Sequence, residues 1–322
     1  MAMVDFGCNH AVQSIMVAAA SLRQLLERSI DYAGLFPPCN LELKAALSNQ
    51  AGYVRSADEW MLSTFVLPAA RFDEASDHVS LFESGHPLAI SALGPKTESA
   101  GEFMAELRKT IEGLQSFAGP HAGAVSVRQL EMALPRQTDA GVLAEARGML
   151  SGVELQSFWE SQPNAAEETI DLLAEHNSAG HERLFGYKLR TGGVTADAFP
   201  TSQQIARALV VATQTRVPMK FTAGLHHPVR QHREEVQTKM HGFLNVLGAG
   251  VMAAQHRWDE KQTAEMLECE EASAFSFDDE SFRWREWKIG SDQIATHRKL
   301  ITSFGSCSFD EPREDLAALG FR

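Results

Sequence analysis

The sequence predicts a single (β/α)8-type barrel, an α/β fold, with helical extensions at both ends. Three observations predict it. Short apolar runs alternate about eight times with segments of helical period, which implies a parallel sheet with helices outside. Each run closes on a Gly or Pro turn, the punctuation of β/α units. The 322 residues suit one barrel of about 250 residues plus extensions. A doubly wound sheet is the alternative, but no early Gly-x-Gly-x-x-Gly marks it.

Taken in order, residues 12–28 read as an amphipathic helix, and residues 29–33 as a short strand ending in the turn Gly34-Leu-Phe-Pro37-Pro38. Residues 41–56, 71–83, 100–118, 139–149, 167–176 and 202–214 have helical period. Strands are expected at 61–67, 87–93, 124–131 and 153–160, then at the runs ending in Lys188-Leu-Arg190 and Lys220-Phe-Thr222. The run Phe243-Leu-Asn-Val-Leu-Gly248-Ala-Gly250-Val251 is the natural eighth strand, with a helix as the alternative. This divides the chain into an N-terminal helix (1–28), a barrel (29–255) and a C-terminal extension (256–322). The extension has an acidic helix at 259–271 and an aromatic tail around Trp284 and Trp287. It is expected to pack as helices and a loop on the barrel, burying both tryptophans there or at a homo-oligomer contact.

Composition narrows the partners. A net charge of −13 excludes a surface-wide nucleic-acid binder. No apolar run reaches about 18 residues, so no membrane helix is expected. The run at 15–20 is short, lacks a basic leader and follows Asp5, which reads as a helix start and not a signal peptide. Cys8, Cys39, Cys269 and Cys307 show no Cys-x-x-Cys spacing and read as reduced thiols of a cytoplasmic protein. The expected partner is a small-molecule substrate, and the expected cofactor is none.

Strand alternation selects the residues that could carry chemistry. Glu131, Glu160, Lys188, Arg190, Lys220 and Thr222 fall at strand ends, where a barrel keeps its active site. A buried ammonium must be paired or neutral. Two lysines on neighbouring strands lower each other's pKa, freeing one as an amine nucleophile. The competing role is a structural ion pair of each lysine with Glu131 or Glu160. Arg190 and Arg230, with the Gly192-Gly193 and Gly224 turns and glycines 248 and 250, suggest an anion pocket. Asp31 and the Pro37-Pro38 turn would form a rim. His226 is an acid/base candidate. His226, His241 and Glu160 are the alternative, a divalent-metal ligand set.

Lys188 before Thr191-Gly192-Gly193, and Lys220 before Thr222-Ala223-Gly224, resemble class I aldolases of the deoxyribose-phosphate aldolase type. That family has a Schiff-base lysine on the sixth barrel strand and a second lysine on the seventh. The resemblance spans residues 184–224. It implies a lyase in which Lys188 forms the imine and Lys220 depresses its pKa. Arg190 replaces a small hydroxyl residue of that pattern, and His226-His227-Pro228 lies outside it. Glu131 and Asp31 are the candidates for the family's catalytic aspartate. The same motifs also resemble uncharacterised bacterial proteins, which assigns no activity. The function classes are therefore an aldolase-like lyase or an isomerase acting on a small anionic carbonyl or sugar-like substrate, a metal-dependent hydrolase or isomerase, and a non-catalytic binding barrel.

Overall fold

The computed structural model describes residues 18–322. Helix α1 (Ala20–Leu26) buries Leu22, Leu25 and Leu26 and leads into β1 (Ile30–Tyr32). The earlier part of the expected helix, residues 12–17, lies outside the described residues. There follow α2 (Leu43–Tyr53), β2 (Leu62–Pro68), α3 (Phe72–Ser76), β3 (Leu88–Leu93), α4 (Ala100–Ala118) and β4 (Val125–Ala133). Next come α5 (Ala140–Met149), β5 (Gln156–Glu160), α6 (Ala166–Asn177), β6 (Gly186–Arg190), α7 (Ser202–Thr215) and β7 (Met219–Thr222).

Local chemistry explains the sharper boundaries. Ser99 and Glu102 form a reciprocal capping box that starts α4, and Thr201 with Gln204 does the same for α7. The Asp139 side chain accepts from the Val142 N–H and starts α5. Residues 71–83 do not form one helix. They hold only α3 and short 3-10 turns.

The chain then departs from expectation. A small hairpin, β8 (Gln231–Arg233) and β9 (Thr238–Met240), prolongs the link out of β7. The expected eighth strand is instead helix α8 (Phe243–His256). Every residue from Phe243 to Ala253 is buried, so the helix shows no polar face to set a 3.6-residue period. Gly248 and Gly250 are packing positions and form no anion-binding turn. A Cβ at Gly250 would stand 2.8 Å from the Ile301 side chain, and one at Gly248 would stand 3.1 Å from the Phe282 ring.

After α9 (Glu260–Leu267) the aromatic tail forms an antiparallel sheet of β10 (Phe275–Phe277), β11 (Ser281–Trp284) and β12 (Trp287–Gly290), where helices and a loop are expected. Trp284 is buried and Trp287 half-buried, both edge-on to Trp258. Helix α10 (Ser291–His297) then delivers the true eighth barrel strand, β13 (Ile301–Ser306), and α11 (Asp310–Ala318) follows it.

The eight parallel strands close in the order β1, β13, β7, β6, β5, β4, β3, β2. The last strand slots between β1 and β7, with Phe304 opposite both Ile30 and Phe221. The barrel therefore extends through residue 306, and the expected boundary at residue 255 falls inside it. Among the described residues no helix is long and apolar enough to cross a membrane.

Candidate active site

Register places the lysines side by side. Lys188 pairs with Lys220 across β6 and β7, and Arg190 with Thr222. Glu160 of β5 pairs with Lys188. Alternation then turns these side chains into the barrel at its C-terminal end.

Carboxylates separate the two amines. Lys188 Nζ lies 2.9 Å from Glu131 Oε2 and 3.0 Å from Glu160 Oε2. Lys220 Nζ donates to Glu131 Oε1 and Gln129 Oε1 in short contacts, and to Ser91 Oγ at 3.3 Å. It also lies 3.0 Å from Asp31 Oδ2, an ion pair without hydrogen-bond alignment. Lys220 further sits 5.8 Å from the centre of the Phe158 ring, within cation–π range. Arg190 Nε reaches Glu160 Oε1 at 3.4 Å. Three cations, Lys188, Lys220 and Arg190, thus meet three carboxylates, Asp31, Glu131 and Glu160.

This arrangement overturns the expected depression of the Lys188 pKa. Burial alone would lower it, but Glu131 and Glu160 override burial and raise it above the usual lysine value. Burial alone would likewise raise the Glu131 carboxyl. Lys188 and Lys220 override that and hold it well below the carboxylate range. The Glu160 carboxyl is lowered too, against burial, by Lys188 and then Arg190. Lys188 therefore rests as an ammonium between the Glu131 and Glu160 carboxylates at pH 7, the ion-pair arrangement that the sequence left as the competing role.

A cavity of about 310 Å³ opens above this cluster. Glu131, Lys188, Arg190, Lys220, Thr222, Gly193, Gly224 and His226 all line it. So do Phe36, Pro37, Pro38 and Cys307, which form its rim. Gly224 has a positive φ of 75°, and a Cβ on Gly192 would stand 2.8 Å from its Cα. Gly192 thus packs beneath the turn and is not a lining residue. His226 is held by α11, with Nδ1 3.2 Å from Glu311 Oε2, while His227 Nδ1 pairs with Asp315 Oδ2 at 2.6 Å.

Other expected members lie elsewhere. Asp31 is no rim residue. It is fully buried under Lys220 and accepts from Thr64 Oγ1 at 2.5 Å. Glu160 touches Lys188 but faces a neighbouring groove, with Lys96, Arg136 and Ser161. Arg230 does not line the cavity; its Nη1 contacts His241 Nδ1 at 2.9 Å, and His241 Nε2 donates to the Pro200 carbonyl at 2.8 Å. Burial pushes His241 down to about 4. His226, His241 and Glu160 are therefore not assembled as a metal site. Among the described residues no group of three or more His, Cys, Asp or Glu side chains is placed to hold a metal ion.

Thr64, Ser91 and Gln129 were absent from the sequence candidates. Ser91 donates to Glu131 Oε1 at 2.5 Å and so orients the carboxylate that both lysines share. The available signal was period two: Gln129 shares a strand face with Glu131, and Ser91 sits three positions before the Gly94-Pro95 turn that closes its strand.

No protein-family model matches the chain, and no curated protein sequence matches it. Among solved structures it is similar to the crystal structure of dihydrodipicolinate synthase from Thermotoga maritima, at 12% identity and a TM-score of 0.39. That match covers 92% of this chain and 100% of the other. A likeness so distant says nothing about chemistry, and the fold assignment rests on the closed strand order itself.

Proposed function

We propose that the cavity is the active site of an enzyme, an aldolase-like lyase or an isomerase, acting on a small anionic carbonyl or sugar-like substrate through Lys188. One observation carries this reading: Lys188 sits on the cavity wall with a carboxylate within about 3.0 Å on either side. Arg190, 39% exposed at its side chain, offers a guanidinium to the substrate's anionic group.

The raised pKa of Lys188 is compatible with imine chemistry. Attack needs a neutral amine, so the ammonium proton passes to a neighbouring carboxylate as the carbonyl binds. Glu131 is already bonded by Lys220 and Ser91. Glu160 is therefore the acceptor. The proton returns by way of the carbinolamine nitrogen, the atom Glu160 contacts, to the former carbonyl oxygen, which leaves as water. In sum, an ammonium and a carbonyl give an iminium and one water. The carboxylates face one positive charge before and after the step, so both states are stabilised alike. The iminium then accepts the electron pair of a C–C or C–H bond, and Glu160 or Glu131 handles the proton.

The held ammonium favours a second reading, in which Lys188 stays charged and hydrogen-bonds an enolate oxygen as an electrophile. Borohydride separates the two. With a panel of small aldehydes, ketones and sugar phosphates, the imine route gives a stable adduct on the Lys188 peptide by mass spectrometry, and Lys188→Arg abolishes it. Turnover without any trapped adduct would move the reaction to the electrophilic route. No adduct and no turnover across the panel would leave a binding barrel, and the enzyme reading would be lost.

A further inference from the structure

We propose that Cys39 and Cys307 form a thiol–disulfide exchange site on the rim of the cavity, with a low-molecular-weight disulfide as its oxidant. The two cysteines come from opposite ends of the chain, yet Cys39 Sγ donates to Cys307 Sγ at 2.9 Å. Both are free thiols. Barrel closure brings them together: β1 and β13 are neighbours, Cys307 directly follows β13, and Cys39 lies in the exposed turn after β1, which is hydrogen-bonded to the end of β13.

The two sulfurs differ in access. Cys39 is exposed, whereas Cys307 is 6% exposed. Burial, then the hydrogen bond from Cys39, pushes the Cys307 thiol well above its ordinary value. Cys39 is thus the entry point and Cys307 the resolving thiol. The Cys39 thiolate attacks one sulfur of the small disulfide, forming a mixed disulfide and expelling one thiolate. Cys307 then attacks the Cys39 sulfur, and the second small thiolate departs with the Cys307 proton. In sum, the protein loses two hydrogens and one disulfide becomes two thiols.

The bond would act on the cavity. Phe36, Pro37 and Pro38 line it directly before Cys39, and Cys307 lines it as well. This turn is already tethered by the Ala33 N–H to the Ser306 carbonyl at 2.7 Å and by the Leu41 N–H to the Gly34 carbonyl at 2.9 Å. A covalent link would remove the remaining freedom of the rim. The other described cysteine, Cys269, is buried, and its sulfur contacts the Glu271 carbonyl at 3.8 Å, not a second thiol.

The test uses the reduced full-length protein and oxidised glutathione. After alkylation of free thiols, peptides are mapped without reduction. The expected product is a Cys39–Cys307 link, reversed by dithiothreitol. Cys307→Ser should stop at a glutathione adduct on Cys39, and Cys39→Ser should abolish the reaction at both positions. Amide hydrogen exchange over residues 33–41 should slow several-fold in the linked form. Wild-type protein that accumulates only the Cys39 adduct overturns the proposal, as does a link from either cysteine to Cys8 or Cys269. So does a linked form whose exchange over 33–41 is unchanged. The wild-type mapping decides the first two points even if a variant fails to fold.

Discussion

Replacing Glu131 by Gln would leave two buried ammonium groups facing a neutral amide. Breaking a buried ion pair from one side costs about 3–5 kcal/mol, so Glu131→Gln should lower stability by about that amount in urea unfolding. The pH dependence has a definite sign. The Glu131 and Glu160 carboxyls are depressed in the fold. Their contribution is complete above the unfolded carboxyl value of about 4.3 and is lost as pH falls through the folded values. The Lys188 amine is raised, so its contribution is complete below the ordinary lysine range and is lost only as pH rises through its folded value. Calorimetry should therefore show an acid limb in wild-type protein that flattens in Glu131→Gln. Equal acid limbs in the two proteins would refute this ledger of charges. Alternation alone picked out Lys188, Lys220 and Glu131 in the sequence, because a charged residue in an apolar strand is conspicuous. It could not give the pKa directions of Lys188 and Glu131. Those depend on Glu131 standing between the lysines, which is a matter of register between β4, β6 and β7. Thr64 and Ser91 are inconspicuous hydroxyls in strands, and only barrel closure turns them onto Asp31 and Glu131.

At the scale of elements, α8 is held against β13 by a glycine. Gly250→Val would drive a side chain into Ile301, and overpacking of this kind costs about 1–3 kcal/mol. A thermal melt of Gly250→Val at or above the wild-type value would disprove the close approach. Trp284→Ala should cost roughly 3–5 kcal/mol, since the ring is 2% exposed and packs against Trp258; chemical unfolding measures it. These two elements were also the least legible in the sequence. The run 243–251 is apolar on all sides, which a buried strand and a buried helix share. The strand Ile301-Thr-Ser-Phe-Gly-Ser306 hides for the opposite reason. Apart from Ile301 and Phe304 its residues are small or polar, although Ser303 and Ser306 are buried. By contrast, α4 and α7 announce themselves through capping boxes and amphipathic spacing.

For the whole molecule, the decisive fact is that the barrel closes with its last strand. A chain ending at residue 255 should fail to give the near-ultraviolet circular dichroism of packed aromatics, because β1 and β7 would both lack their β13 partner. A cooperative melt from that fragment would restore the boundary that composition suggests. Closure has a consequence for synthesis as well. Residue 30 leaves the ribosome long before residue 304, its partner across β1 and β13. At about 5–20 residues per second the interval is on the order of tens of seconds. Throughout it the nascent chain can offer only an unclosed sheet, with β1 as one bare edge and, once residue 222 has emerged, β7 as the other, both open to pairing with another chain. An inward-pointing charge on an edge strand opposes such pairing. Asp31 lies on one of these edges and Lys220 on the other. The ion pair of the finished site is, in the unfinished chain, a guard on each edge.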